Sequence, residues 1–283
     1  MSREPASFDF VVATVGRTDA LGRFLASLDA QHYPSARVLV VDQNGDGRLS
    51  PVLADREVDI VRLESPRGLA RARNVGLALV TADIVAFPDD DCEFPPGLLD
   101  TVAKRLGSDP DLDGLAGRAV DAVGRSSASW ETDRALLTDD NLWNRANAAT
   151  IFLRRSVVER TGAFDERLGL GSGEPWSSGE ETDYLIRAVR QGARIEYDPS
   201  LVVFHDVRPD DGIIGVRDGA SVGYLLRKHR YPPRVLARML VRPIGGAALA
   251  TIRLDLPRAR YYVATLVGRI RGYVGASRSN SSA

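Results

Sequence analysis

Residues 83–93 read Asp83-Ile84-Val85-Ala86-Phe87-Pro88-Asp89-Asp90-Asp91-Cys92-Glu93. Ile84 to Phe87 is a short apolar run of the kind that forms a strand buried on both faces. Pro88 has no amide proton for a central ladder, so the strand stops there. Three carboxylates follow at once. In an open α/β sheet, ligands bind beyond the carboxyl ends of the strands. Three like charges at that point repel one another unless positive charge sits among them. A hard divalent cation gripping a diphosphate would supply it. The plain alternative is a solvated acidic turn.

The chain before this stretch alternates strand and helix. Phe8 to Thr14 predicts a first strand and Val15-Gly16-Arg17 a turn. Thr18 to Gln31 has helical periodicity through Leu21, Phe24, Leu25 and Leu28. Arg37 to Val41 is a second buried strand ending at Asp42, with a Gln43-Asn44-Gly45-Asp46-Gly47 loop after it. Val58 to Leu63 is a third strand, Gly68 to Val80 a helix, and Pro95-Pro96 opens another helix to about Leu106. This rhythm predicts a doubly wound, parallel α/β sheet.

The middle is less regular. Gly114 to Val123 and Ala149 to Leu153 read as strands, and Ser156 to Thr161 as a short helix. Ser126 to Ala146 reads as irregular or as a helix over the sheet edge. Gly162 to Gly179 is a long glycine-rich loop containing Trp176, and loops of that length in compact domains are usually functional. Glu180 to Gln191 is helical. Ala193 to Tyr197 and Leu201 to Phe204 read as two further strands, with His205 at the end.

After Asp206 the character changes. Residues 1–205 carry 23 Lys and Arg against 33 Asp and Glu, whereas residues 206–283 carry 14 against 5. Ile213 to His229, Pro233 to Ile252 and Pro257 to Val274 have helical patterns, with Pro243 expected to kink or break the second. Arg234, Arg238 and Arg242 lie four apart and form a basic stripe. The expected division is therefore 1–205 as the α/β domain, 206–275 as a basic amphipathic helical extension and 276–283 as a disordered tail. Such helices can lie in a membrane interface, or pack on the body or on a second subunit as a homodimer. No nucleic-acid-binding motif is present. The single cysteine, Cys92, excludes a disulfide framework and fits a reducing compartment. The first residues lack a signal peptide's apolar stretch. No run approaches the ~18 uncharged apolar residues of a membrane span. The expected location is cytoplasmic, with a peripheral position on the inner membrane face left open.

Four features fall at strand ends or in adjoining loops: Asp42, Asp89-Asp90-Asp91, Glu180-Glu181 and His205. They come with Val-Val-Ala-Thr then Gly-Arg, Val-Leu-Val-Val-Asp, Gly-Leu-Ala-Arg-Ala-Arg-Asn-Val-Gly, Phe-Pro-Asp-Asp-Asp, Phe-Asp-Glu-Arg-Leu-Gly, Gly-Glu-Glu-Thr-Asp-Tyr-Leu-Ile-Arg and Asp-Pro-Ser-Leu-Val-Val-Phe-His. Together these segments resemble the family 2 glycosyltransferases, from about Phe8 to His205. The resemblance implies a GT-A fold, a Rossmann-like, mostly parallel sheet flanked by helices, here with a C-terminal helical extension. It implies inverting transfer of a sugar from a nucleotide-diphosphate sugar to a hydroxyl, in glycan or polysaccharide synthesis with a glycan or lipid-linked acceptor.

By the same resemblance, Asp42 reads the nucleobase, and Thr14 and Arg73 stand near the nucleotide, while Asn74 holds its helix in place. Asp89 faces the ribose with help from Asp90. Asp91 ligates Mn²⁺ or Mg²⁺ and His205 completes the shell; oxygen donors suit either ion. Glu181 is the implied base, and Glu180 and Trp176 are implied at the acceptor. The family often has an aromatic residue where this chain has Gly16, and usually Glu-Asp where it has Glu180-Glu181. A nucleotide-sugar-forming nucleotidyltransferase would want a glycine-rich phosphate loop after the first strand, and only Gly16-Arg17 is present. A non-catalytic, membrane-associated scaffold of the same fold is the other alternative.

Overall fold

The computed structural model describes residues 5–121, 123–126, 130–205 and 212–279. The chain divides into two compact units, Met1–Phe164 with Tyr184–Val207, and Asp165–Asp183 with Arg208–Ala283.

The first unit holds one sheet. Its strands are β1 (Phe8–Thr14), β2 (Ala36–Asp42), β3 (Asp59–Glu64), β4 (Ile84–Ala86), β5 (Cys92–Glu93), β6 (Gly114–Val120), β7 (Ala135–Leu136), β8 (Ile151–Arg154) and β9 (Ile195–His205). They lie in the order β3-β2-β1-β4-β8-β6-β9-β5, with β7 on β9. β1, β2, β3 and β4 are mutually parallel, as are β6 and β9; β8, β5 and β7 run antiparallel to their neighbours. The helices are α1 (Thr18–Asp29), α2 (Ser50–Leu53), α3 (Leu69–Leu77), α4 (Leu98–Ser108), α5 (Arg155–Thr161) and α6 (Glu180–Arg190), and the boundary between the units falls inside α6.

β1 explains why this sheet has covered faces. Phe8, Phe10, Val11 and Val12 are all buried, as in a central strand packed on both sides. Leu21, Phe24, Leu25 and Leu28 form the buried stripe of α1, and Phe10, Phe24 and Phe94 meet edge to face. The β1–β2 register sets Thr14 opposite Asp42, so both residues reach the carboxyl edge together. Asp9 is 1% exposed within this apolar strand. Arg37 grips it through two bonds of 2.8 Å, and the amides of Thr81 and Ala82 donate at 2.7 and 3.0 Å. Burial by itself would raise the Asp9 pKa, but these donors more than offset it and hold the carboxyl below its usual range.

The expected pair of strands over 193–204 is one strand, β9. The chain stays extended through Asp198-Pro199-Ser200, and the irregularity appears as a register shift between Ala116 and Arg118 of β6. There a Cβ on Gly117 would collide with the Leu201 carbonyl, and Arg118 donates to the Pro199 carbonyl at 2.8 Å. Pro199 is tolerated at such a bulge. Over 126–146 the described residues are irregular, with β7 and a 3₁₀ turn at Leu142–Asn144.

The second unit contains α7 (Gly212–Lys228), α8 (Pro233–Ile252) and α9 (Leu256–Ser279). Asp165–Asp183, which the sequence reading placed in the α/β domain, is counted with these helices. Trp176 stacks on Tyr224 at 4.5 Å, and the Ser178 hydroxyl bonds Asp218 and Ser221 at 3.0 and 2.9 Å. α7 and α9 touch backbone to backbone: a Cβ on Gly223 would strike the Arg269 carbonyl, and one on Gly272 the Ala220 carbonyl.

α8 runs through Pro243 without a break. Proline deprives the carbonyl four residues back of its helical partner. That carbonyl is Met239, and the Arg269 guanidinium of α9 donates to it instead. Burial, with Arg242 nearby, lowers the Arg269 pKa to about 10. Contrary to expectation, Pro233–Ile252 is long and apolar enough, by length and composition, to cross a membrane. α9 continues past the expected end at Val274 to Ser279; residues 280–283 of the expected disordered tail lie outside the described residues.

The Asp9 network yields a pH signature. Since the folded-state pKa lies below the unfolded one, its stabilisation is complete above the ordinary carboxylate pKa, near ~4. It fades as pH falls through the folded value. Asp9→Asn is expected to cost roughly 2–4 kcal/mol at pH 7, with the gap from the parent narrowing below about pH 4. Urea denaturation of both proteins across that range measures it.

Candidate active site

The acidic triplet sits where the sequence reading placed it, just past the carboxyl end of β4. Ile84, Val85, Ala86 and Phe87 are buried. The chain turns at Asp89, whose carbonyl accepts the Cys92 amide at 3.3 Å, and β5 pairs antiparallel with the end of β9, setting Cys92 opposite His205. Two segments more than a hundred residues apart thus converge.

Each carboxylate has different surroundings. Arg73 of α3, 1% exposed, donates to Asp89 at 3.1 Å and to the Phe87 carbonyl at 3.4 Å, with its guanidinium 5.6 Å from the Phe164 ring centroid. Asp90 is buried and accepts from the Thr14 hydroxyl at 2.7 Å. Burial raises the Asp90 pKa, and the charges of Asp91 and Asp89 add to this; Thr14 and Arg17 only partly offset it. Asp91 lies 3.2 Å from His205 Nε2, which is itself 3.7 Å from Asp89. Arg17 reaches in from the turn before α1, and one guanidinium nitrogen meets Asp90 at 3.1 Å and Asp91 at 2.5 Å.

Ligand atoms of Asp91, Cys92 and His205 lie within 4.8 Å of one another. Carboxylate oxygens with one imidazole suit Mg²⁺ or Mn²⁺, and a guanidinium already stands among these oxygens as a cation. The residues therefore fit a divalent ion. Cys92 does not add to the donor set. It is fully buried in the core cluster, and burial, followed by the charges of Asp89 and Asp91, pushes its thiol pKa well above the usual value. A thiolate is the metal-binding form.

Asp42 ends β2 beside this cluster's first strand, and both its oxygens are engaged. Asn44 donates to Oδ1 from its amide and side chain at 2.8 and 2.7 Å, and Arg62 to Oδ2 at 3.1 and 2.6 Å. Burial would raise its pKa, yet these donors hold it below the usual range. Asn74 and Phe164 exchange two bonds, at 3.1 and 2.7 Å, so Asn74 holds α3 in place as expected. A cavity of about 620 Å³ lined by Tyr33, Asp83, Lys104 and Arg154 lies at the amino ends of β1 and β4 and shares no residue with the cluster.

The other expected residues belong to the second unit. Glu180 and Glu181 open α6 with Asp183, where carboxylates suit the helix dipole. Glu180 is buried. Asp183, fully buried, accepts from Lys228 at 2.5 Å and faces His229 at 2.7 Å; Lys228 also bonds Asp165 at 2.8 Å. Trp176, expected as an acceptor wall, is 6% exposed and stacked on Tyr224.

Residues 9–160, more than half of the chain, match the family model described as glycosyl transferase family 2. The chain belongs to the family 2 glycosyltransferases. It is 30% identical over 290 residues to the pre-mycofactocin glycosyltransferase of Mycobacterium tuberculosis, an alignment covering 93% of this chain and 56% of that protein. It thus spans about half the length of that curated relative. Among solved structures, it resembles the mannosyltransferase PcManGT from Pyrobaculum calidifontis in complex with GDP-Man and Mn²⁺, at a TM-score of 0.63 and 18% identity, covering 95% of this chain and 88% of that one. It also resembles S. aureus TarS 1–349 in complex with UDP, at a TM-score of 0.57 and 18% identity, covering 98% and 92%. These likenesses show the fold, GT-A.

The contacts made by Arg17, Arg62 and Asn44 escaped the sequence reading, which placed Arg17 in a turn and in the Gly16-Arg17 segment without a role at the acidic triplet. The signal for Arg17 was its position after the first strand, within the Gly16-Arg17 segment. For Arg62, it was a cation in an otherwise apolar alternation. Thr14→Val removes the one donor from β1 to buried Asp90 at nearly constant shape. A loss of about 1–2 kcal/mol is expected, measured by urea denaturation at pH 7.

Proposed function

We propose that the chain transfers a sugar, with inversion, from a nucleotide-diphosphate sugar to a hydroxyl acceptor, in glycan or polysaccharide synthesis. The observation that carries this is the gathering of Asp89, Asp91 and His205 beyond β4, with a cation already seated among the carboxylates. The complexes of the structural neighbours with GDP-Man and Mn²⁺ and with UDP support the donor class. Asp91 and His205 are the residues that would hold Mn²⁺ or Mg²⁺. When bound, the ion would offset the negative charge of the donor's phosphates.

Asp42 is assigned to the nucleobase, one of its bonds to Asn44 or Arg62 giving way to a base N–H. Thr14 acts by holding Asp90, and Arg73 by holding Asp89, which faces the ribose. Glu181 takes the acceptor's hydroxyl proton as that oxygen attacks the anomeric carbon. The bond from that carbon to the diphosphate breaks, and the diphosphate leaves with its electron pair. No covalent enzyme intermediate is needed. Glu180 holds the acceptor or nearby backbone, and Trp176 acts from inside the loop, fixing its shape by stacking on Tyr224.

A thermal-shift panel of nucleotide sugars with and without Mn²⁺ identifies donor class and metal need together. Asp91→Asn should abolish donor-induced stabilisation. Glu181→Gln should keep it and lose turnover by roughly 10²–10⁴-fold. Unchanged turnover in purified Glu181→Gln would refute the base assignment.

The second unit's helices are assigned to an anionic membrane face. On α8, Val241, Ile244, Leu249 and Ile252 are exposed, and Arg234, Arg238 and Arg242 recur on the same helix at four-residue spacing. Apolar insertion beside basic charge is the signature of interfacial binding. The chain should co-sediment with phosphatidylglycerol vesicles and far less with phosphatidylcholine ones. Val241→Glu with Ile244→Glu should abolish that binding; retention by this variant would overturn the assignment.

A further inference from the structure

Two arginines neutralise the acidic triplet, and they are built differently. Arg73 is fully buried, with Phe164 against its guanidinium and Asp89 and the Phe87 carbonyl at its end. It cannot leave without unpacking α3. The Arg17 side chain is 43% exposed, and one of its nitrogens lies between Asp90 and Asp91, bonding an oxygen of each. That nitrogen therefore occupies Oδ2 of Asp91, the carboxylate that would hold a divalent ion.

The rest of the site does not need this side chain in order to keep its shape. The Arg17 carbonyl accepts the Leu21 amide at 3.0 Å, starting α1. Gly16, at φ +70°, donates its amide to Asn44 at 2.6 Å. The turn is therefore fixed by backbone. Asp90 keeps its other oxygen on Thr14, and Asp91 turns its other oxygen toward His205. Removing the guanidinium would leave Asp90 bonded to Thr14 and Asp91 with Oδ1 3.2 Å from His205 Nε2 and Oδ2 vacated.

We propose that Arg17 is a resident counter-cation of the acidic triplet: its guanidinium holds the seat on Asp91 that a divalent ion takes, and must give it up for the ion to bind. Arg17 thereby prevents carboxylate repulsion in the metal-free protein and sets metal affinity by direct competition. The Arg17 side chain is 43% exposed and can swing out, but Asp90 and Asp91 are 7% and 14% exposed, so it leaves only as another cation takes its place. This inference rests on the proposed metal site, though not on sugar transfer.

The test is binding of Mn²⁺ alone, measured by the electron paramagnetic resonance of free ion, in the parent, Arg17→Gln, Arg17→Lys and Asp91→Asn. Arg17→Gln should bind Mn²⁺ about five- to tenfold more tightly, Arg17→Lys close to the parent, and Asp91→Asn far more weakly. A merely structural salt bridge gives the opposite sign, so equal or weaker binding by Arg17→Gln overturns the proposal. So does parent-like binding by Asp91→Asn, or the absence of binding in both the parent and Arg17→Gln. Should Arg17→Gln fail to fold, the parent still decides. In protein labelled with heavy nitrogen at arginine, the Arg17 side-chain signal should move on adding Mg²⁺ while the Arg73 signal stays; an unmoved Arg17 signal overturns the proposal. Tighter Mn²⁺ binding by Arg17→Gln in a protein that transfers no sugar would sink the proposed function and leave this inference standing.

Discussion

Three carboxylates in a row at the mouth of a buried strand are an electrostatic cost that the surrounding structure has to meet. β4 ends at Ala86, and Phe87-Pro88 leads Asp89, Asp90 and Asp91 into partly desolvated space, where repulsion between like charges is poorly screened. Nearly every feature nearby answers that cost. Arg73 comes through the core from α3, Arg17 across the surface from the turn before α1, Thr14 donates from β1, and His205 is brought up by the β5–β9 pairing. The site is held by one guanidinium that is buried and one that is 43% exposed.

The second unit solves a different problem with similar economy. A proline inside α8 strips a carbonyl of its partner, and glycines at the α7–α9 contact bring backbones so close that little else fits between them. Arg269 restores the lost bond to Met239 from the neighbouring helix. Half-buried guanidinium is expensive, as its lowered pKa shows, but an unsatisfied carbonyl in the same place would be expensive as well. Asp183 plays a comparable part at the start of α6, tied to Lys228 and beside His229. The helix that carries Glu181 therefore has its first turn anchored by charge as well as by backbone.

Much of this was legible in the chain. Apolar runs closed by Asp42, Pro88 and His205 marked the strand ends, and the strand–helix rhythm with the ordered motifs marked the GT-A fold. Asn74 as a helix anchor was also readable. Other features were not. One continuous β9 looked like two strands, because Pro199 and its neighbours break the apolar pattern that a bulge opposite Gly117 accommodates. The charges of Arg73 and Asp42 were legible, but their partners were hidden: a guanidinium packed on Phe164, and a carboxylate saturated by Asn44 and Arg62.

By itself, the sequence determined which residues lie at the sheet's carboxyl edge, since period, proline and composition act locally along the chain. Only the tertiary structure decided which charge meets which. Arg17 reaches Asp91 across 74 residues of chain, and His205 meets the same carboxylate through a two-residue strand that no periodicity could announce. Long side chains pair according to the directions in which distant elements deliver them, and those directions exist only after the sheet has closed around its core.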